Sequence, residues 1–110
     1  MKLPNAHSAI IDLRKLHDYC LNPEHPRGKH KARVFQRALA VGRENAEELR
    51  ARLLIAVDEQ DCIPGESDEY GARYVVDIEW QRQEKSATIR TMWIVKRDED
   101  IPRLTSCYVL

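Results

Sequence analysis

The sequence contains 110 residues, of which 18 are basic and 18 acidic, so its formal net charge is zero. This length fits one hydrophobic core, and we expect a single domain over residues 1–110. A hydrophobic share of 43% excludes a disordered chain, and no apolar run approaches the roughly 18 residues of a membrane span.

The first predicted element is a helix from Leu13 to Leu21, which the side chain of Asp12 can cap. Its apolar residues recur at helical spacing. His17 falls on the same stripe, so we interpret it as a structural histidine. Residues 22–28 (NPEHPRG) begin with an Asn-Pro pair, contain two prolines, and are predicted to form a loop.

Two further helices are predicted before residue 60. The first of these runs from about Lys29 to Val41, and Gly42 is expected to end it with a positive φ. Asn45 is expected to cap the other, with Glu48 in capping-box register. The buried face of this last helix would consist of Ala46, Leu49, Leu53, Ala56 and Val57.

After Gln60 the periodicity becomes that of β-strands. Residues 62–71 (CIPGESDEYG) predict an acidic, turn-rich connector. A half-buried strand follows, because every second residue is apolar at Tyr74, Val76, Ile78 and Trp80.

Two more strands are predicted after this one. The strand at 86–96 carries apolar residues on one face, and Met92 and Ile94 add more on the other, so we expect it to be central and covered on both faces. The last strand, at 103–109, is expected to leave an open sheet edge. The element order predicts an α+β fold, with three N-terminal helices followed by an antiparallel sheet of three to four strands.

Charge is divided unevenly along the chain. Residues 1–55 carry 11 basic and 6 acidic groups, whereas residues 56–110 carry 7 and 12. The segment from Asp58 to Glu69 contains six carboxylates and no base. This division predicts a positive surface suited to phosphate or an acidic partner, unless the two halves pair with each other.

Three scattered cysteines, Cys20, Cys62 and Cys107, form no metal-site spacing. We therefore expect reduced thiols, a cytoplasmic protein, and no metal or cofactor. The N-terminal residues do not read as a signal peptide, and there is no glycine-rich phosphate loop or nucleophile elbow.

The densest group of chemically active side chains lies at residues 25–33. His25 and His30 can exchange protons near neutral pH, and the cations around them can bind phosphate. Acid, base and cations are the parts of a metal-independent ribonuclease. The alternative interpretation is a solvated basic loop and helix start.

A second group of candidates lies on the predicted sheet. Strand alternation places Arg90 on the opposite face from Thr91. It also places Tyr108 opposite Arg103 and Thr105 unless a bulge intervenes. Tyr108 also suits a core position, and Arg103 also suits a surface charge beside a turn.

Four motifs occur in order over nearly the whole chain: HPxGKxKAxxF, YGxRY, RTxWIV and PRLxxxY. Together they resemble a bacterial domain family of unknown function, whose members look like free-standing proteins or like C-terminal tips of polymorphic or phage-related toxins. The element layout is similar to that of the barnase/EndoU/RelE-like ribonuclease group, which is an analogy of architecture. The motif positions here are His25, Gly28, Lys29, Lys31, Arg90, Thr91, Trp93, Arg103 and Tyr108.

The resemblance and the side chains together lead to two functional hypotheses. The first is a metal-independent endoribonuclease toxin, with RNA as substrate and a cognate antitoxin as partner. Its catalytic candidates are His25 as general acid or base, with Lys31, Arg90, Thr91, Thr105 and Tyr108; its substrate-binding candidates are Lys29, His30, Arg33 and Arg103. The second hypothesis is a non-catalytic protein-binding module, an antitoxin or adaptor, that docks through the acidic or the basic segment.

Overall fold

Three helices precede a four-stranded sheet in a computed structural model that describes all 110 residues. The helices are α1 (Leu13–Lys15), which continues as a π-helical turn over Leu16–Cys20, α2 (Lys29–Leu39) and α3 (Ala46–Glu59). The strands are β1 (Ile63–Ser67), β2 (Gly71–Arg82), β3 (Lys85–Lys96) and β4 (Arg103–Val109). They form one antiparallel sheet in the order β1-β2-β3-β4, which confirms the predicted α+β fold.

β1 is the strand that the sequence did not predict. All five of its side chains are exposed, so it lacks the apolar alternation by which a half-buried strand is recognised. Its pairing with β2 is irregular between Pro64 and Ser67. β1 therefore depends on backbone pairing with its neighbour, which hydrophobic periodicity cannot report.

One face of the sheet forms the core with the helices. Trp93 and Ile89 of β3 pack there with the predicted inward residues of β2, of which Val76, Ile78 and Trp80 are buried. The predicted face of α3 is confirmed, since all five of its residues are buried. No helix of this fold is long and apolar enough to cross a membrane.

The second face of β3 contradicts the expectation of a strand covered on both sides. Arg90 and Met92 are only half-buried there, and Ile94 is the one buried residue on that face. The core cluster takes its sheet residues from the opposite face alone. The apolar side chains of Met92 and Ile94 therefore do not indicate a second layer packed on this face of the sheet.

The helix ends agree with the sequence only in part. The cap at Asp12 is confirmed, because its carboxylate accepts a hydrogen bond from the Arg14 amide. Gly42 was wrongly expected to end α2; Ala40 does so instead, with a φ of 55°. Asn45 does not cap α3, because its side-chain oxygen accepts from the Gly42 amide at 3.0 Å across a 3-10 turn.

The predicted open edge of β4 is covered at its start. Ile10 covers the start of β4, since the Leu104 amide donates to its carbonyl at 3.0 Å. Cys20 covers the next part, with its sulfur 3.9 Å from the Ser106 hydroxyl. β4 therefore remains an edge strand that is covered at its start, and β1, whose side chains are all exposed, forms the other edge of the sheet.

Candidate active site

The loop before α2 is held together by His25. Its Nδ1 accepts hydrogen bonds from the backbone amides of Arg27, at 3.0 Å, and Gly28, at 2.9 Å. An imidazole that accepts at Nδ1 carries its proton on Nε2. In this geometry His25 offers a substrate a hydrogen-bond donor and no free lone pair, so the role of general base does not fit it.

Gly28 brings this loop against the π-helical turn. A Cβ at Gly28 would lie 2.0 Å from the carbonyl oxygen of Tyr19, so no larger residue fits without a backbone shift. The same close approach sets the ring of His25 edge-on against the ring of Tyr19, with centroids 4.8 Å apart. The HPxG part of the first motif therefore has a packing role.

Tyr19 is a residue that sequence reasoning missed. The ammonium of Lys31 donates to its hydroxyl at 2.8 Å and lies 4.7 Å from its ring centroid. The π-helical turn, a feature often found at functional sites, positions Tyr19 for this contact. No signal in the sequence distinguishes such a turn from an ordinary helix end.

A polar row crosses the half-exposed face of the sheet. Arg90 of β3 lies between Asp77 of β2 and Tyr108 of β4 in the strand register. Its guanidinium donates to both carboxylate oxygens of Asp77, at 2.9 and 2.8 Å. This pairing lowers the pKa of Asp77, while the pKa of Arg90 is raised by Asp77 first and by the Tyr108 phenol second.

A bulge decides which β4 residues share that row. Met92 pairs with Ser106 and Trp93 with Leu104, so Thr105 is an extra residue. As a result, Tyr108 lies on the same face as Arg90. Thr105 is exposed, and its hydroxyl donates to the Met92 carbonyl at 3.1 Å.

The helical and sheet candidates meet beside β4. A cleft of about 370 Å³ is lined by His30, Lys31 and Val34 of α2 and by Tyr108 and Val109 of β4. A second cleft of about 370 Å³ includes Tyr19 and Thr105, and the Lys31–Tyr19 hydrogen bond joins the two groups. We call this region the edge site and define it by Tyr19, His30, Lys31, Thr105 and Tyr108, with Arg90 beside Tyr108.

Thr91 does not belong to the edge site. Its side chain is fully buried, donates to the Val76 carbonyl at 2.6 Å and accepts from the Trp93 indole at 2.7 Å. A hydroxyl with both functions satisfied in the core cannot orient a substrate. The RT pair of the third motif thus splits into one core residue and one surface residue.

Three substrate-binding candidates also lie away from the edge site or contribute no contact there. Arg103 forms a bidentate ion pair with Glu99, with hydrogen bonds of 3.0 and 2.9 Å, beside a turn. Arg33 lines a different cleft, on the other flank of α2. Lys29 is exposed at the first position of α2 and makes no side-chain hydrogen bond.

His17 differs from its sequence interpretation as well. Its ring is half-exposed rather than buried on the apolar stripe, and Nδ1 lies 2.6 Å from a carboxylate oxygen of Asp18. The neighbouring imidazole holds the pKa of Asp18 below its usual value. Since α1 changes to a π-helical turn at Leu16, the 3.6-residue spacing no longer predicts which side chains face inward.

Two buried thiols lie behind the edge site. Cys20 and Cys107 are in contact, and all three cysteines are free. Hydrogen bonds from Cys107, with smaller contributions from Ser106 and the charge of Lys31, lower the pKa of Cys20 to about 7. The pKa of Cys107 is raised by its bond to Cys20 and by burial. No group of three or more His, Cys, Asp and Glu side chains is placed to hold a metal ion.

Comparison with known families identifies the chain. The family described as Domain of unknown function (DUF6883) matches residues 2–110. The chain is a DUF6883 domain. This confirms the resemblance to a domain family of unknown function, and a comparison with curated proteins gives no match.

The DUF6883 domain shares its fold with a solved structure. A chain of the "Contact-dependent growth inhibition toxin - immunity protein complex from Klebsiella pneumoniae 342" superposes with a TM-score of 0.70. The similarity covers 93% of the DUF6883 domain and 100% of that chain, at 14% sequence identity. At this identity the likeness establishes the common fold.

Proposed function

We propose that this domain is a toxin-type endoribonuclease that needs no metal, and that the edge site is its active site. The observation that carries the proposal is the single cleft formed by His30 and Lys31 with Tyr108, residues far apart in the sequence. These side chains combine a proton-exchanging imidazole, a cation and a phenol in one place. The fold shared with a chain of a toxin–immunity complex supports a domain of the toxin or immunity class.

Each step of RNA cleavage then has a candidate group. The ribose 2′-oxygen attacks the adjacent phosphorus while His30, whose ring makes no hydrogen bond to the protein, takes the proton from that hydroxyl. Lys31 and Arg90 stabilise the negative charge that develops on the phosphate oxygens. The bond from phosphorus to the 5′-oxygen breaks, and Tyr108 supplies the proton to the leaving oxygen. The products are a 2′,3′-cyclic phosphate and a 5′-hydroxyl.

The test is cleavage of labelled mixed-sequence RNA in EDTA by the parent protein and by His30→Ala, Lys31→Ala and Tyr108→Phe. Loss of a general acid or base is expected to reduce the rate by about 10²- to 10⁴-fold. Lys96→Ala, which removes an exposed cation at the end of β3, is the matched control and should cleave at the parental rate. Absence of cleavage by a correctly folded parent would contradict the ribonuclease, and full activity in all three variants would contradict the edge site.

A second candidate function is a protein-binding module of the antitoxin or adaptor class. It is favoured by the exposed edge of β1, which combines an apolar Ile63 with the acidic segment 58–69. Light scattering after size-exclusion chromatography, with and without the product of the neighbouring gene, separates the two functions. A stable complex of a protein without nuclease activity supports the module, whereas a partner that silences cleavage supports the toxin.

A further inference from the structure

A separate basic cleft lies on the flank of α2 opposite the edge site. It encloses about 510 Å³ between α2, the residues that follow the π-helical turn, and the 3-10 turn at Arg43–Asn45. Three guanidinium groups line it, those of Arg33, Arg37 and Arg43, and Glu44 is its one carboxylate. We call it the arginine cleft.

The charges of the arginine cleft are incompletely paired within the protein. Arg43 is anchored, because its Nε donates to the His17 carbonyl at 3.0 Å and a terminal nitrogen lies 3.4 Å from Asp18. Arg33 and Arg37 are exposed and take part in no ion pair. They lie one helical turn apart, a spacing at which like charges repel each other. An anionic ligand between them would relieve this repulsion.

The walls of the cleft suit a nucleotide rather than an isolated ion. Leu21, Pro23 and Ala32 provide apolar surface, and Gln36 adds an amide. The volume lies in the range of sites that hold small organic ligands. Guanidinium groups match the geometry of phosphate oxygens and also stack on bases.

The exposed side of α2 links the two clefts. His30 lines the edge site, Arg33 follows three residues later and Arg37 four residues after that. His30 and Arg37 are seven positions apart, a separation of about 10 Å along a helix. One strand of RNA can therefore follow this stripe from the edge site into the arginine cleft.

We infer that the arginine cleft binds a phosphate and the adjoining nucleotide of a single-stranded RNA substrate, outside the bond that is cleaved. The inference rests on the proposed function, because it gives this cleft the same substrate as the edge site. It makes the arginine cleft a subsite that controls affinity for long RNA and leaves the chemical step unchanged.

The first test measures binding of a labelled single-stranded RNA 20-mer by fluorescence anisotropy, in a His30→Ala background that prevents cleavage. The double variant Arg33→Ala/Arg37→Ala is expected to bind at least tenfold more weakly at about 100 mM salt. The slope of log affinity against log salt should fall by about 0.7, the contribution of one single-strand phosphate contact. Lys96→Ala/Arg97→Ala removes two exposed charges at the end of β3 and should retain parental binding.

A second measurement separates this inference from the ribonuclease proposal. With His30 intact, the double variant should raise KM for the 20-mer and leave kcat, and cleavage of a dinucleotide, unchanged. If the parent binds RNA through these arginines but cleaves nothing, the cleft inference stands and the ribonuclease fails. Parental affinity and salt slope in the folded double variant, or no RNA binding by the parent, would overturn the inference.

Discussion

Thr91 shows how far a single residue can be from the role that its motif suggests. It stands in the RTxWIV motif, next to a surface arginine, yet its hydroxyl bridges the Val76 carbonyl and the Trp93 indole inside the core. The bridge gives Trp93, the largest fully buried side chain, a hydrogen-bond partner. Thr91 therefore stabilises the fold and does not touch a substrate.

Thr91→Val tests this structural role at the residue scale. The change keeps the shape of the side chain but removes the acceptor of the buried Trp93 indole and the donor to the Val76 carbonyl. A buried polar group left unsatisfied costs about 1–3 kcal/mol. We expect a lower free energy of unfolding in urea, and RNA cleavage per folded molecule equal to that of the parent. Thr88→Val, at a half-exposed position of the same strand, is the control. A variant that is as stable as the parent but inactive would contradict the structural role and support a role for Thr91 in catalysis.

At the element scale, the loop before α2 determines where Tyr19 and Lys31 lie. Gly28 lets the loop approach the π-helical turn, and His25 closes the loop through two backbone amides. Lys31 then reaches back from the first turn of α2 to the Tyr19 hydroxyl. One glycine therefore supports the geometry of the edge site without contacting a substrate.

Gly28→Ala should both destabilise the protein and disturb the edge site. The added methyl would meet backbone atoms of Tyr19, and such overpacking costs about 1–3 kcal/mol. Gly65→Ala is the matched control, because its nearest atom would be 3.4 Å away. The free energy of unfolding in urea and the rate of RNA cleavage should both fall for Gly28→Ala. Both should stay near parental values for Gly65→Ala. Equal stability of the two variants would contradict the tight packing.

The ion pair between Asp77 and Arg90 joins β2 and β3, and it should make the stability of the fold depend on pH. Because the folded pKa of Asp77 is lowered, this group stabilises the fold above its unfolded pKa, near 3.9, and loses that contribution as the pH falls through the lowered value. Asp77→Asn should therefore be less stable than the parent at pH 7, by up to about 1 kcal/mol for a partly exposed pair.

The stability difference between Asp77→Asn and the parent should shrink as the pH falls below about 4. Urea unfolding between pH 2.5 and 7 measures it, and Asp98→Asn, which removes an exposed carboxylate without an ion pair, should show no such trend. A difference that is constant over this range would mean that the ion pair does not stabilise the fold.

At the scale of the whole molecule, the basic and acidic parts of the chain lie on different elements of the fold. The basic half contributes α2, whose two flanks carry the edge site and the arginine cleft. The acidic segment 58–69 runs along the end of α3 and through β1, at the exposed edge of the sheet. Under the proposed function, RNA approaches α2 and a partner protein has the acidic edge available to it.

Hydrophobic periodicity predicted most of the fold. The face of α3, the alternation of β2 and the limits of β4 were all recognisable, because each buries one regular side of its element. The Asp77–Arg90 pair was also within reach, since both residues lie six positions from the two-residue turn at 83–84. Counting outward from a tight turn gives the register of an antiparallel pair.

The candidate site could be predicted only in part. The side chains at residues 30–31 and at Tyr108 were singled out by chemistry and motif, but nothing local indicated that they share a cleft. Tyr19 was missed because a π-helical turn has no sequence signature, and Thr91 was misassigned because a motif does not report burial. The bulge that turns Tyr108 toward Arg90 depends on one extra residue in the pairing of β3 with β4.

The sequence by itself determined the fold class, the order of the helices and strands, and the chemical inventory of cations, imidazoles and hydroxyls. These follow from local periodicity and composition, which neighbouring residues along the chain express directly. The tertiary structure alone decided which of these side chains meet and that α2 carries two separate clefts. It also decided that Nδ1 of His25 accepts hydrogen bonds from the backbone of its own loop. Those outcomes depend on close contacts between distant segments, and packing, not periodicity, determines such contacts.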